Sequence, residues 1–432
     1  MASVDGLVTG LDTTTIISQL LQVEGAPQSR LKTKVSEHKT VQNAYQGVNA
    51  RMVAVRSAAE ALTSANTWQG VKATSSNSSA VSASASTAAT TGSATFNVVR
   101  LASQHVVTSK APTSGSMTTN GSVTLTVGGT ATNIAVTTDT PQGLADAVNA
   151  KNLGVRASVL TTSDGPVVQF SSASTGAAQA FTVSGLSQPT SVLSQGADAE
   201  LTVGDAAAGG YKLTSKDNTF SGLLPGVTIR ATAVANNVTV STSPDTGALA
   251  DAMQALVSAI NSAALQIDSA SSYNSATKTG GPLTGNSLTR GLRQQLQSGV
   301  SNGVSGFGSL SGVGVKLDRS GTLSFDRAAF LAAYEANPAK VQTAVKGGFA
   351  ETYRKIAVDA TDSTSGKLTL AVQGGDTTMR RLNKEIDDWD TRLAAKKVSL
   401  QRQYTNLETA LGRLKDQSSW LSSQLGSLPT TS

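Results

Sequence analysis

Few residues in this chain of 432 could do chemistry: His38 and His105 are its only imidazoles, and it has no cysteine. Imidazole is the usual acid–base group near neutral pH. His38 falls inside a helical pattern and His105 beside Val106 and Val107, which read as a helix surface and a strand. Without thiols, disulfides, cysteine nucleophiles and thiolate metal sites are excluded. No serine is expected to stand in a Gly-x-Ser-x-Gly elbow. Gly280 to Gly285 has the spacing of a phosphate loop, yet Asn286 stands where that loop needs lysine, so Gly280-Gly281-Pro282 reads as a turn. Asp387, Asp388 and Asp390 offer carboxylates to a metal. On a helix, however, Asp387 and Asp388 diverge by about 100° and Asp390 neighbours only Asp387, which is the pattern of a solvated face. Asp318-Arg-Ser-Gly321 lacks the further oxygen ligands of a calcium loop. No catalytic constellation, cofactor site or metal site is read, and the chain is expected not to be an enzyme.

The elements around these residues are organised by the end of the chain. From Asp376 to Leu425, apolar residues recur at Met379, Leu382, Ile386, Trp389 and Leu393, then at Leu400, Tyr404, Leu407, Leu411 and Leu414, in steps of three and four. This is a heptad seam with a stutter at Lys397, and it predicts one helix of roughly 70 Å that must face another helix or another subunit. Val41, Tyr45, Val48, Met52, Val55, Ala59 and Leu62 repeat the alternation near the other end, with Pro27 in the first turn and Gly70 as the stop. If the two segments pair, everything between them leaves a helical stalk and returns to it.

Composition agrees with a modular protein. Hydrophobic residues make up 39%, enough for real cores, but aromatics only 4%, which points to thin β-rich modules rather than one large enzyme-like core. No run of eighteen apolar residues exists, so membrane insertion is not expected, and Asp5 and Asp12 break the order of a secretory signal. The net charge of +6 is spread as six basic against five acidic groups in residues 1–70, nine against ten in 71–280, and nineteen against thirteen in 281–432. Along the last helix Arg380, Arg381 and Lys384 precede Glu385, Asp387, Asp388 and Asp390. That is a mixed-charge face rather than a phosphate stripe, so no nucleic-acid partner is expected.

In chain order, Val4 to Leu21 carries Leu7, Leu11, Ile16, Leu20 and Leu21. It predicts a short amphipathic helix too small to be stable alone, ordering only on a partner. Ala73 to Val99 is uncharged and rich in Ser, Thr and Ala, and reads either as weakly packed extended structure or as a linker. A hairpin follows around Gly128-Gly129, then a helix from Thr140-Pro141, strands at Val155–Leu160 and Val167–Phe170, and another at Phe181–Val183. A second β block covers Leu201–Val203, Tyr211–Leu213, Val227–Ala231 and Val238–Val240. A helix after Ser243-Pro244-Asp245 carries Leu249, Met253, Leu256, Val257, Ile260 and Leu265. Beyond it lie a helix at Ser287–Leu296, a hairpin from Val313 to Phe325, and a helix from Asp326 to Lys346.

Gly6-Leu-Val-Thr-Gly-Leu-Asp-Thr13 and Leu20-Leu-Gln-Val-Glu-Gly-Ala-Pro27 resemble the start of the flagellar filament-capping family, hook-associated protein 2. So do, in the same order, Gly92 to Gln104, Asn218-Thr-Phe-Ser-Gly-Leu-Leu-Pro-Gly-Val227, Gly281-Pro-Leu-Thr-Gly285, Gly312 to Asp326, and Tyr404-Thr-Asn-Leu-Glu408. The resemblance spans nearly the whole chain and is weakest through Ala111 to Gly196. Tyr404 and Leu411 replace an expected Phe and Met without loss of bulk.

The resemblance implies an α+β multidomain fold, a terminal α-helical coiled-coil stalk enclosing inserted β-rich domains. Residues 1–40 and 400–432 would be terminal legs, mobile until assembled; 41–70 and 246–399 the stalk domain with a small hairpin; 71–111 and 197–245 a first β-rich domain; and 112–196 a second, distal one. It also implies an extracellular cap at the filament tip. Such a cap is exported by the flagellar type III apparatus with an export chaperone, forms a homo-oligomeric ring and guides flagellin into place. Leu7, Leu11, Ile16 and Leu20, with Leu407, Leu411, Leu414, Trp420 and Leu421, are the expected docking or subunit-packing residues. For Leu407 to Leu414 an intramolecular coiled coil has the same period, and both readings stand. The rivals are another axial flagellar protein, such as a junction protein or flagellin, and a surface adhesin. An adhesin would need an anchor that Ser427-Leu-Pro-Thr-Thr-Ser432 does not supply, and cell adhesion has no visible basis in the residues.

Overall fold

The computed structural model describes residues 10, 12–205 and 208–426. Its helices in chain order are α1 (Thr13–Glu24), α2 (Ala26–Thr63), α3 (Ala65–Trp68), α4 (Pro141–Ala150), α5 (Thr246–Ser271), α6 (Ser287–Ser301), α7 (Arg327–Ala336), α8 (Pro338–Gln342), α9 (Glu351–Thr361) and α10 (Lys367–Gly426), with a π-helical segment at Thr343–Ala350. The strands are β1 (Val71–Ser75), β2 (Val81–Ala85), β3 (Gly92–Arg100), β4 (Val106–Lys110), β5 (Ser122–Val127), β6 (Thr130–Ala135), β7 (Val155–Thr162), β8 (Gly165–Ser172), β9 (Phe181–Ser184), β10 (Thr190–Ser194), β11 (Ala199–Val203), β12 (Tyr211–Ser215), β13 (Thr219–Phe220), β14 (Val227–Ala231), β15 (Ala235–Pro244), β16 (Tyr273–Asn274), β17 (Thr279–Gly280), β18 (Val315–Leu317) and β19 (Leu323–Phe325). They divide into a helical unit, Met1–Ser64 with Ala250–Ser432, and a β-rich unit, Ala65–Leu249.

In the helical unit the heptad stripe of α2 is fully buried at Val48, Met52, Val55, Ala59 and Leu62. This stripe has more than one partner, because α2 packs on α9 as well as on α10. α2 also ends earlier than Gly70: Ser64 turns extended at φ −66°, ψ 137°, and closes the helix through its N–H to Glu60 O. α10 starts at Lys367, before the expected Asp376, and runs unbroken past Lys397. Its 60 residues span about 90 Å.

α5 is the one described helix long and apolar enough to cross a bilayer, but Met253, Leu256, Val257, Ile260 and Ile267 are all at most 2% exposed within the unit's own core. Leu265 does not belong to that stripe and is 71% exposed. At about 100° per residue it points roughly 140° away from Ile260, whereas Ile267 comes back into line. The expected helix from Asp326 to Lys346 is interrupted. Pro338 forces the preceding residue out of the helical region, and Asn337 sits at φ −156°, ψ 86°. Asn337 Oδ1 then caps α8 by accepting from Lys340 N at 3.0 Å. Helical structure continues to Thr361 through a segment that the sequence reading missed.

The β-rich unit holds two cores. In the first, sheets of order β1-β15-β3-β11-β12 and β13-β14-β2 enclose Phe96, Val98, Leu201, Ile229, Val238 and Val240. The uncharged stretch Ala73 to Val99 is therefore neither linker nor loosely packed. Its alternating small residues bury Val81 and Phe96, and its hydroxyls bridge strands, as in Thr95 to Thr239 at 2.8 Å. The second core lies between sheets β10-β4-β8-β7 and β6-β5-β9 with α4. Gly128 and Gly129, at φ +56° and +82°, make the two-residue turn that sets β5 against β6 from Val127↔Thr130. Thr140 caps α4, its hydroxyl accepting from Gly143 N at 3.1 Å. β10, which the sequence reading missed, forms an edge beside β4.

Candidate docking site

Asp12 opens α1 by accepting from Thr15 N at 2.8 Å. At Gly25 (φ −79°, ψ −3°) the chain passes into α2. α1 lies along α10, with a β-carbon position on Gly25 3.6 Å from Leu393 Cδ1 and Lys396 Nζ 3.4 Å from Glu24 Oε1. Two further keys lie along α2. The amide of Gln28 donates to Asp390 Oδ1 at 2.6 Å and that of Gln42 donates to Asp376. Residue numbers rise on one helix as they fall on the other, so the pairing is antiparallel.

Seven residues back from Glu24 and seven on from Lys396 bring Ile17 level with Gln403 and Tyr404. Ile17 is 6% exposed, and Leu400 and Tyr404 are half-buried. α1 is thus a helix formed on its own chain, whereas the sequence predicted order only on a partner. The helical period explains which face is used: Thr13, Ile17 and Leu21 share a stripe of steps of four.

Among the expected docking residues, Leu7 and Leu11 lie outside the described residues. Ile16 is half-buried and Leu20 is 42% exposed on α1. On α10, Leu411 is half-buried, whereas Leu407, Leu414, Trp420 and Leu421 are 47%, 59%, 61% and 55% exposed. Leu414, Trp420 and Leu421 lie beyond the level of Thr13, where α1 begins. Two residues are not among those expected: Ile17, which is buried on α1, and Val23, which is 74% exposed. Val23 follows Leu20 by three, a spacing that could have flagged it.

The chemistry candidates have structural places. His38 is on the exposed face of α2. His105, 4% exposed just before β4, accepts from Gly196 N at 3.2 Å and meets Phe181 edge to face at 4.9 Å. Asn286 caps α6 by accepting from Thr289 N and donates to Tyr45 Oη at 2.6 Å. Asp318 Oδ1 accepts from Thr322 N at 2.8 Å and from Ser320 Oγ at 2.6 Å, closing the β18–β19 turn. The hydrogen bonds to Asp318 hold its carboxyl below the usual carboxylate range, Ser320 contributing most.

Asp388 pairs with Lys384. Asp390 is not merely a solvated charge, since it receives the buried Gln28 amide. A Gly-x-Ser-x-Gly spacing does occur, at Gly299-Val-Ser-Asn-Gly303, contrary to the sequence reading. Ser301 there ends α6, its hydroxyl donating to Gln297 O at 2.9 Å, so it stands on no strand-to-helix elbow. Among the described residues, no three carboxylate or imidazole groups cluster as metal ligands.

Residues 196–416 match the family model described as flagellar hook-associated protein 2 C-terminus, and residues 9–105 match the model for its N-terminus. The chain belongs to the flagellar hook-associated protein 2 family. Flagellar hook-associated protein 2 of Escherichia coli K12 is 27% identical over 98% of both chains. The lateral flagellar hook-associated protein 2 of Vibrio parahaemolyticus is 28% identical over 74% of this chain and 76% of its own. The crystal structure of the D1-D2-D3 domains of the Escherichia coli flagellar cap protein FliD aligns with a TM-score of 0.55 and 26% identity, covering 77% of this chain and 99% of that one. The family and this solved member share the α+β multidomain architecture seen here, a long C-terminal helix with several β-sheets.

Proposed function

We propose that this chain is a structural subunit of the cap at the distal end of a bacterial flagellar filament. It acts outside the cell and carries no catalytic activity. The observation that supports this most is the projection of α10 beyond the start of α1, with Leu414, Trp420 and Leu421 exposed, in a chain of the hook-associated protein 2 family. Large apolar side chains presented along one helix at the end of a stalk are suited to burial against another assembly.

In this reading residues 1–40 and 400–432 are the legs, and Leu7, Leu11, Ile16, Leu20, Leu407, Leu411, Leu414, Trp420 and Leu421 meet flagellin at the filament end or a neighbouring copy. Residues 41–70 and 246–399 form the stalk, 71–111 with 197–245 the first β-rich domain, and 112–196 the distal one. Copies assemble into a ring, and each is delivered by the flagellar type III export apparatus with an export chaperone.

Deleting the gene is expected to give cells that secrete flagellin monomers and bear no filaments. Complementation with the Leu414→Asp/Trp420→Asp/Leu421→Asp chain should leave its secretion intact and filaments absent. Normal filaments in the deletion strain would sink the capping reading.

A further inference from the structure

We infer that neighbouring copies of this chain are joined by strand addition in the β-rich unit: β6 of one copy lies along the free edge of β10 of the next. This deepens the capping reading and rests on its ring. The two sides of the second β core differ in cover. On one side α4 packs on β7, β8 and β6, and Asn149 of α4 closes the edge of β7, its amide donating to Ala157 O at 2.8 Å and accepting from Ala157 N at 2.9 Å. On the other side a groove of about 430 Å³ opens between β9 and β10, lined by side chains of β4, β5, β9 and β10 with no carboxylate, ammonium or guanidinium among them. His105 lines it too. This residue is 4% exposed, its Nδ1 accepts from Gly196 N at 3.2 Å, and Nε2, which then carries the proton of the neutral ring, has no hydrogen-bond partner among the described residues.

Unpaired strand edges invite pairing, and charge or cover is the usual guard. β12, an edge of the first core, carries Lys212, paired with Glu200 at 2.8 Å, and β7 has Asn149. β10 has neither. Thr190-Ser-Val-Leu-Ser194 is uncharged, Val192 and Leu193 are 58% and 70% exposed, and the bulge at Leu193 leaves Thr190 to Val192 in regular register with β4. β6, Thr130-Ala-Thr-Asn-Ile-Ala135, is uncharged as well, and among the described residues its backbone makes no hydrogen bond beyond those to β5. The ring decides which strand of the second copy is used, because a closed ring needs two different patches on different sides of the subunit. β9 flanks the same groove as β10 and would close a pair of copies, whereas β6 lies on the α4 side. Added to β10, an uncharged strand extends the sheet β10-β4-β8-β7 by one, covers the groove and offers its carbonyls to His105 Nε2.

The absence of native cysteine makes the test clean. Asn133 and Ser191 are exposed on β6 and β10. Full-length Asn133→Cys/Ser191→Cys chain, treated with a short bismaleimide, is expected to give linked dimers, trimers and higher species on a denaturing gel, and neither single variant is expected to link chains. Adding Leu193→Lys, which supplies the charge that guarded edges carry, should lower the yield of linked species at least about tenfold with the far-UV circular dichroism unchanged. No linked species from the double variant, or dimers from Ser191→Cys alone, would overturn the inference, as would a yield that the added lysine leaves unchanged. Complementation of the deletion strain separates this from the capping reading: wild-type chain that restores filaments while the double variant fails to link overturns strand addition alone, whereas linked species from a chain that restores no filaments support strand addition and overturn capping.

Discussion

The ring of Tyr353 occupies the space that a side chain on Gly299 would need: a β-carbon there would lie 2.9 Å from Tyr353 Cζ. Tyr353, fully buried on α9, donates its hydroxyl hydrogen to Leu296 O on α6. Gly299 is therefore helical by tolerance, and its lack of a side chain admits the aromatic ring. Gly299→Ala should destabilise the helical unit by about 1–3 kcal/mol through overpacking, despite the better helix propensity of alanine. Tyr353→Phe should cost about 1 kcal/mol. Chemical denaturation followed by far-UV circular dichroism measures both, and an unchanged midpoint for Gly299→Ala would contradict the packing.

Burial raises the Tyr353 phenol above its ordinary value of 10.0. Its contribution to stability is fully present below about pH 10, where both folded and unfolded phenols are protonated, and falls as pH rises and the unfolded chain ionises. Wild-type protein should lose thermal stability above pH 10 more steeply than Tyr353→Phe. Parallel alkaline limbs would refute the assignment.

The opposite limb belongs to Asp318 and Asp362. Asp318 is lowered chiefly by the Ser320 hydroxyl, then by Thr322 N, and Asp362 by the Ser365 and Thr364 N–H groups. Stability from a depressed carboxylate is present above its unfolded value, 3.8, and lost as pH falls through the lower folded one. Asp318→Asn and Asp362→Asn should each flatten the acid limb of the melting profile below about pH 4. An acid limb as steep as wild type in both variants would show that these turns are not its source.

Gln28 and Gln42 of α2, both buried, donate to Asp390 and Asp376 of α10. Gln28→Leu/Gln42→Leu should leave the helical unit as stable as wild type or more so, by up to about 4 kcal/mol. Asp390→Ala, which removes an acceptor from the buried Gln28 amide, should destabilise it by about 1–3 kcal/mol. Hydrogen exchange of α2 and α10 amides separates the two, with protection rising in the first variant and falling in the second. A fall in both would mean that the amides matter for packing alone.

In the β-rich unit, Phe170 is fully buried in the core shared by α4 and two sheets. Phe170→Ala should cost about 3–5 kcal/mol and make residues 112–196 the first protease-sensitive region. Cleavage that begins elsewhere would place the weak point outside this core.

What the sequence determined by itself was whatever is written in local period and turn chemistry. The steps of three and four from Met379 to Leu414 specified a long amphipathic helix because only a helix gathers them on one face. Gly128-Gly129, Thr140-Pro141 and the turn from Asp318 to Gly321 announced their elements because each needs a backbone conformation or a cap that few residues supply. The motifs in order from Gly6 to Glu408 carried the family.

Tertiary structure decided what those elements touch. Nothing local distinguishes Ile16 from Ile17, and only packing within the helical unit buries the second. Leu265 looked like a member of the α5 stripe until packing showed which face the core takes. Asp390 read as one more solvated charge because its partner, Gln28, lies 362 residues away in sequence. The uncharged run from Ala73 to Val99 had too little hydrophobic contrast to declare itself a strand-former. Its order comes from pairing with β14 and β15, more than a hundred residues later, since a strand's energy lies in the ladder it joins rather than in its own residues.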